Sequence, residues 1–120
     1  MSARFSTEVL DRALRQKRKE RERRRQDTLA RLLDLLPAAP IALPEATIFG
    51  SILRPGAFDD RSDVDLAIPP VAPRSYFDLK SYLEDGLCRV VDLVDLDGCH
   101  FAAAIARDGL KWKSPAELRA

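Results

Sequence analysis

The first third of the chain has the pattern of polar and apolar residues that is typical of one long helix. Residues 6–36 contain no glycine or proline, are rich in strong helix formers, and are followed by Pro37, which ends the pattern. Ser6 is a suitable N-cap. Apolar residues cluster in 9–14 and 29–36, and the residues between these clusters have nothing to bury. We expect a helix, straight or bent, whose second apolar cluster packs on the core and whose middle projects into solvent or along a partner.

Shorter elements are predicted for the remainder of the chain. The tract PAAPIALPEA predicts an extended linker, because proline removes backbone donors and restricts the residue before it. Period-two alternation and β-branched runs predict strands, whereas apolar stripes at helical spacing and closing glycines predict helices. The predicted strands are 46–49, 63–68 and 88–96, and the predicted helices are 75–85, capped by Gly86, and 100–110, closed by Gly109. The chain thus divides into a helix (1–37), a linker (38–45) and a folded domain (46–120).

Composition narrows the class of protein. The hydrophobic fraction of 46% and the charged fraction of 32% are those of a soluble globular protein, and 120 residues suffice for one compact domain. No apolar run is long enough for a membrane span, and MSARFSTEVL lacks the apolar stretch of a signal peptide. We expect a cytoplasmic protein without membrane contact, in which Cys88 and Cys99 stay reduced. A large acceptor would have to dock from outside.

Charge is segregated along the chain although the net charge is only +1. Residues 11–25 carry nine basic and three acidic side chains, which leaves eleven basic and sixteen acidic side chains elsewhere. A basic segment of this kind suits an acidic partner surface or a phosphate backbone, although its simplest interpretation is a solvated helix face. Because no aromatic residue is interleaved with the cations, nucleic acid is the less favoured partner. The sequence leaves open whether this helix contacts protein or RNA.

Three aspartates and a Gly-Ser pair are the strongest candidates for chemistry. In a strand, side chains two apart point to the same side, so Asp63 and Asp65 would present both carboxylates together, an arrangement that calls for a cation such as Mg²⁺. Such a pair is by itself a weak signal. Gly50 and Ser51 follow an apolar strand and form a turn that suits phosphate, and Asp92 is an acidic residue among β-branched neighbours. Together these residues suit two-metal phosphoryl or nucleotidyl transfer.

Two segments carry a resemblance to a known family. FGSILRPGAFDDRSDVDLAI followed by VVDLVDL resembles the minimal nucleotidyltransferases of the DNA polymerase β-like superfamily, over about residues 46–112. That family shows a Gly-Ser turn, a basic loop, an Asp-X-Asp strand and a later aspartate. Eleven residues separate Ser51 from Asp63, one more than in the family pattern, and Pro55 is the apparent insertion. The resemblance implies an α+β fold, in which helices pack on a small mixed sheet in an α/β sandwich-like arrangement, here preceded by the basic helix.

The resemblance also implies a role for each matching residue. Asp63 and Asp65 would hold two Mg²⁺ ions, and Asp92 would complete the second metal site and help to activate the attacking hydroxyl. Asp95 and Asp97 follow closely, but Asp92 has the matching strand context. ATP is the implied substrate. The implied nucleotide-binding residues are Gly50, Ser51, Arg54 and Ser62.

Small members of this family often act as the antitoxin partner of a HEPN-domain ribonuclease, and some transfer AMP from ATP to a tyrosine of that toxin. The resemblance therefore implies a protein adenylyltransferase that works with a HEPN-domain toxin, in a homo- or hetero-oligomer. Two alternatives remain open. The first is a catalytically silent module that neutralises its partner by contact, which the inserted Pro55 mildly favours. The second is a nucleotidyltransferase for a small-molecule acceptor, which the short chain disfavours.

Overall fold

The computed structural model describes the backbone of residues 2–98 and 100–115, and side chains from residue 7 onward. Cys99 lies outside the described residues, so the prediction for the two cysteines is untested, whereas Cys88 is an exposed free thiol. The helices are α1 (Ser2–Leu35), α2 (Pro73–Leu87) and α3 (Ala102–Asp108), and the strands are β1 (Glu45–Phe49), β2 (Val64–Ile68), β3 (Val91–Asp95) and β4 (Leu110–Lys113). Two short 3₁₀ turns are Leu36–Ala38 and Gly50–Leu53.

The four strands form one mixed sheet in the order β3–β2–β1–β4. Strands β2 and β3 are parallel and are joined through α2, whereas β1 is antiparallel to both β2 and β4. The fold is therefore of the predicted α+β class, with helices packed on a small mixed sheet. No helix in the described part of the chain is both long and apolar enough to cross a membrane.

One face of the sheet carries the main hydrophobic core. Alternate residues of β2 and β3 point into it, as period-two alternation requires, and leucines of α1 and α2 close it from the other side. The prediction that the second apolar cluster of α1 packs on the core is confirmed by Leu32 and Leu36, which are both buried. By contrast, every described side chain from residue 7 to 20 is exposed. The opposite face of the sheet is covered near β1 by α3, through the buried Ile105.

Two predicted helix ends are wrong. Helix α1 begins at Ser2, so Ser6 lies inside the helix rather than at its N-cap. Helix α2 continues through Gly86 and ends at Leu87, and its C-cap residue Cys88 has a left-handed backbone with φ of 54°. Gly86 serves packing instead: a Cβ at this position would lie 2.6 Å from Cδ1 of Leu35, so glycine permits α1 and α2 to approach closely.

Strand β4 was not predicted: the sequence pattern predicts a helix over 100–110 and no strand after it, whereas residues 110–113 form β4. The segment pairs with β1, with Leu110 opposite Ile48 and Trp112 opposite Ala46. It lies at the edge of the sheet, and only Trp112 is partly covered. Four residues with two exposed lysines give no clear alternation, so the strand depends on pairing with β1 rather than on its own pattern.

Candidate active site

The three predicted aspartates lie along the parallel pair of strands at the centre and edge of the sheet. Asp65 of β2 is paired in register with Asp92 of β3, and Asp63 directly precedes β2. Their neighbours Val64, Leu66, Val91 and Leu93 are buried in the main core. Because side chains alternate along a strand, Asp65 and Asp92 point to the opposite face, with Asp63 on the same side of the chain as Asp65. Asp65 is half-buried, whereas Asp63 and Asp92 are exposed.

The Gly50–Leu53 turn closes tightly onto Asp65. Phe49, the last residue of β1, is paired with Asp65, and the turn begins at the next residue. Gly50 has φ of +85°, a conformation that side chains disfavour, and a Cβ at this position would overlap Oδ2 of Asp65. The carboxylate therefore lies directly against the backbone of the turn. Glycine is therefore required here for two reasons: the positive φ, and the overlap that a Cβ would make with the Asp65 carboxylate.

Electrostatics distinguish Asp65 from most aspartates of the chain. Partial burial, followed by repulsion from Asp92 and then from Asp63, raises the pKa of the Asp65 carboxyl above its ordinary value. No described basic side chain is hydrogen-bonded or ion-paired to any of these three carboxylates. Among the described residues, Asp65 is thus repelled by two neighbouring carboxylates and has no cation as a partner.

The chemistry of this donor set fits a hard divalent cation. Carboxylate oxygens are the ligands that Mg²⁺ prefers, and a bound cation would remove the repulsion that raises the pKa of Asp65. In the described residues, however, no three acidic, histidine or cysteine side chains stand close enough together to hold one ion. Asp63 and Asp92 are exposed, and a single cation site would require rotation of these two side chains towards Asp65.

The predicted nucleotide-binding residues lie in two places. Gly50, Ser51 and Arg54 belong to the turn after β1, where the Ser51 carbonyl accepts a hydrogen bond from the Arg54 N–H at 3.0 Å. Gly50 and Arg54 also line a cleft of about 400 Å³ between this turn and α3. The other walls of the cleft are Phe49, Leu53, Phe101, Ala104, Ile105, Asp108 and Gly109. The cleft opens beside Gly50 and is largely apolar.

Ser62 takes part in the loop that leads into Asp63. Its Oγ accepts a hydrogen bond from the Asp59 N–H at 2.9 Å and donates to Asp59 Oδ1 at 3.2 Å. The same carboxylate accepts from the Arg61 N–H, and these hydrogen bonds hold the pKa of Asp59 below its ordinary value. In this structure Ser62 therefore shapes the loop before the aspartates.

Arg89, which the sequence did not single out, lies just before β3 and is hydrogen-bonded to this loop. Its guanidinium donates to the carbonyls of Asp59 and Ser62 at 2.8 and 2.9 Å, and it lies over the ring of buried Phe58 at 4.3 Å. Arg89 follows the left-handed Cys88 in the turn between α2 and β3. It thus joins the segment before Asp63 to the start of the strand that carries Asp92.

Helix α1 reaches the site through two arginines that the sequence did not distinguish from their basic neighbours. Arg25 donates to the carbonyl of Ile52, within the Gly50–Leu53 turn, at 2.9 Å and is held by a bidentate pair with Glu22. Its side chain is only 12% exposed. Arg24 forms an exposed ion pair with Asp60 at 2.5 Å. The sequence pattern does not distinguish Arg25 from its neighbours, because the group that it contacts is a backbone carbonyl 27 residues away.

Comparison with known proteins adds evidence for the fold. No model of a protein family and no curated protein matches the sequence. Among solved structures, the chain is similar to a chain in the crystal structure of a toxin–antitoxin with AMP-PNP, with a TM-score of 0.56 and 23% sequence identity. The match covers 73% of this chain and 75% of that chain. This likeness shows that the two chains share a fold.

Proposed function

We propose that the chain is a Mg²⁺-dependent nucleotidyltransferase that serves as the antitoxin of a toxin–antitoxin pair. The observation that carries the proposal is the register of Asp65 and Asp92, with the backbone of Gly50 packed against the Asp65 carboxylate. A glycine turn that would accommodate phosphate lies beside Asp65 and Asp92, and nucleotidyl transfer requires such a turn next to carboxylates that can hold a metal ion. The fold that the chain shares with a toxin–antitoxin protein crystallised with AMP-PNP, an ATP analogue, supports both parts of the proposal.

In this proposal each residue has a defined task. Asp63 and Asp65 would hold Mg²⁺, and the backbone of the Gly50–Leu53 turn would contact the triphosphate. Bound Mg²⁺ would supply positive charge to the phosphate oxygens. The acceptor oxygen forms a bond to the α-phosphorus, the bond from that phosphorus to the bridging oxygen breaks, and pyrophosphate leaves. Asp92 accepts the proton of the acceptor hydroxyl, a task for which its exposed position beside Asp65 is suitable.

We further propose that the nucleotide is ATP, that AMP is transferred to a tyrosine, and that the tyrosine belongs to a HEPN-domain ribonuclease. The described residues form one small sheet with its helices and offer no second domain that could carry an acceptor. A protein acceptor would approach from the open face of β2 and β3. The competing function is neutralisation by contact alone, which is favoured by the absence of three gathered ligands in the described part of the chain.

The first test needs no partner. Binding of a fluorescent ATP analogue should require Mg²⁺ in the wild-type chain and should be lost in the Asp63→Asn/Asp65→Asn variant. Asp97→Asn, which removes one exposed carboxylate just beyond β3, is the matched control and should bind normally. Wild-type binding that is absent, or unaffected by the double substitution, would contradict the nucleotide site.

The second test identifies the reaction. The chain is incubated with Mg²⁺, ATP and the protein encoded by the adjacent gene, and intact mass is measured. A gain of about 329 Da, or a multiple of it, that disappears with Asp63→Asn/Asp65→Asn would support AMP transfer. A stable complex with no mass gain for any nucleotide would indicate neutralisation by contact.

A further inference from the structure

The cleft between the Gly50–Leu53 turn and α3 has no part in the chemistry proposed above. One of its walls is the end of β1 with this turn, and the other is α3 with the residues that flank it. Sites for small organic ligands have volumes of about 300–1,000 Å³ and are mostly apolar, with a few polar groups that fix the orientation of the ligand. At about 400 Å³, with a largely apolar lining, the cleft meets both criteria.

A glycine fixes the end of α3 against β1. A Cβ at Gly109 would lie 2.5 Å from Cγ2 of Thr47 and 2.6 Å from the carbonyl oxygen of Ile105, so a larger residue would push the helix away from the strand. Asp108, the last residue of α3, is therefore held beside the end of β1, where it lines the cleft. At the other end of the helix, Phe101 also lines the cleft and is 70% exposed.

Asp108 provides the cleft with an ionised hydrogen-bond acceptor. Its two carboxylate oxygens accept hydrogen bonds from Arg107 at 3.1 and 3.3 Å, and this contact keeps the pKa of Asp108 below its ordinary value. A carboxylate has about four acceptor positions, so it can still accept from a ligand. The helix itself gives no reason for an acidic residue here, because a negative charge at the C-terminal end of a helix is unfavourable.

We propose that this cleft is the subsite for the purine base of the nucleotide, in which the base lies against the ring of Phe101 and donates a hydrogen bond from its amino group to Asp108. This subsite rests on the proposed function, because the Gly50–Leu53 turn would hold the phosphates beside the cleft. Proteins recognise a base by stacking aromatic side chains on its faces and by hydrogen bonds to its edge. Arg54 lines the same cleft and is exposed, so it can approach the phosphates.

The position of the cleft excludes the acceptor as its occupant. In the proposed reaction the acceptor hydroxyl has to reach Asp92 on β3, whereas the cleft begins at the end of β1. Strand β2 lies between them, and neighbouring strands are about 4.8 Å apart, so about 10 Å separates β3 from β1. The nucleotide, in contrast, has to contact the turn that forms one wall of the cleft. The cleft therefore lies within reach of the base and away from the acceptor.

The Asp108 carboxylate also predicts which bases bind. Adenine and guanine both carry an amino group, which can donate to a carboxylate, whereas uracil presents a carbonyl oxygen at the corresponding edge, which a carboxylate repels. A purine also covers more of an aromatic ring than a pyrimidine does. ATP and GTP should therefore bind more tightly than UTP.

The test measures dissociation constants by isothermal titration calorimetry with Mg²⁺ present, for ATP, GTP, UTP and inorganic tripolyphosphate, which has no base. Stacking on an aromatic ring and a hydrogen bond to a charged group each contribute about a factor of ten in affinity. ATP or GTP should therefore bind at least about tenfold more tightly than UTP and tripolyphosphate. A preference for either purine supports the subsite, and the ratio of the ATP and GTP affinities identifies the base.

Substitutions test the two walls of the cleft separately. Phe101→Ala should weaken purine nucleotides by about tenfold without changing tripolyphosphate, whereas Phe101→Tyr keeps the ring and should retain wild-type affinity. Asp108→Asn replaces a pure acceptor with a group that also donates, so the ratio of ATP to UTP affinity should fall by about tenfold. The matched controls are Phe77→Ala and Asp85→Asn, which make the same changes at exposed positions of α2 and should alter none of these constants. Circular dichroism verifies that each variant is folded.

Failure of the subsite is distinguishable from failure of the proposed function. The subsite is overturned, and the phosphate and metal site left intact, if tripolyphosphate or UTP binds as tightly as ATP and GTP. Equal effects of Phe101→Ala and Phe77→Ala, or an unchanged ATP to UTP ratio in Asp108→Asn, would also overturn it.

If neither nucleotide nor tripolyphosphate bound, the proposed function would fail, and the cleft would be probed with adenosine and guanosine in the absence of Mg²⁺. Changes in the NMR chemical shifts of the Ala104, Asp108 and Gly109 amides would then support the subsite. Unchanged shifts would overturn it.

Discussion

Asp65→Asn is expected to stabilise the fold while abolishing nucleotide binding. Asp65 faces Asp92 at the same register position and is also repelled by Asp63, and no described cation compensates its charge. Like charges opposite each other on neighbouring strands cost up to about 1 kcal/mol. Asparagine has nearly the same shape and removes this charge. We expect a gain of about 1 kcal/mol in the free energy of unfolding, which corresponds to a melting temperature about 4 °C higher for a domain of this size.

The raised pKa of Asp65 also predicts how the free energy of unfolding changes with pH. The pKa of Asp65 is raised in the folded state above its ordinary value of 3.8, so the folded state holds the proton more tightly than the unfolded state. The free energy of unfolding therefore falls as pH rises through the interval between these two pKa values. The advantage of Asp65→Asn should be fully present at neutral pH and should shrink as pH falls through the folded pKa towards 3.8.

The assay is thermal and urea unfolding of wild type, Asp65→Asn and Asp97→Asn, followed by circular dichroism at neutral and acidic pH. Asp97→Asn makes the same chemical change at an exposed position and should have little effect. Adding Mg²⁺ should raise the melting temperature of the wild type and leave that of Asp65→Asn unchanged. The reasoning is refuted if Asp65→Asn is no more stable than wild type at neutral pH, or if its advantage is the same at both pH values.

Three further substitutions test how the site is built. Gly50→Ala should destabilise the fold by about 2–3 kcal/mol and abolish ATP-analogue binding, because a Cβ would both overlap Asp65 and occupy a left-handed backbone. Arg25→Met should cost about 1–2 kcal/mol and weaken nucleotide affinity through the turn that it holds. Arg89→Lys keeps the charge but loses the planar fork, so it should cost about 1 kcal/mol and weaken Mg²⁺-dependent binding. Unfolding in urea and titration with the ATP analogue measure all three.

Matched controls separate the causes. Gly56 has φ of +84° but no atom within 4 Å of a built Cβ, so Gly56→Ala carries the backbone cost without the overlap. If Gly50→Ala and Gly56→Ala were equally stable and bound nucleotide equally, close packing against Asp65 would not matter. Arg23→Met removes an exposed cation two residues from Arg25 and should change neither property. Equal effects of the two arginine substitutions would show that net charge, not the contact with the turn, is responsible.

The two halves of α1 differ in their contacts with the folded body. Its C-terminal half contributes Leu32 and Leu36 to the core and holds the Gly50–Leu53 turn through Arg25. The described side chains of its N-terminal half, from residue 7 onward, are exposed.

The sequence by itself determined the features that depend on neighbouring residues. Helical spacing and the absence of glycine and proline identified α1, and period-two alternation identified the strand that carries Asp65. Alternation also predicts that Asp63 and Asp65 lie on the same side of that strand, and the strand context of Asp92 marks it as the third candidate. The prediction of a small mixed sheet came from the resemblance to a family, and the structure agrees with it.

Only the tertiary structure decided the features that join distant parts of the chain. The hydrogen bond from Arg25 to the turn spans 27 residues, and Arg89 reaches a loop 30 residues before it. Strand β4 forms because β1 offers it an unpaired edge, which no local pattern reveals. The sequence predicts Gly86 as a helix cap, but glycine is needed there because the side chain of Leu35 in α1 leaves no room for a Cβ. Contacts of this kind depend on which surfaces meet, and that information is spread over the whole chain rather than held in any one segment.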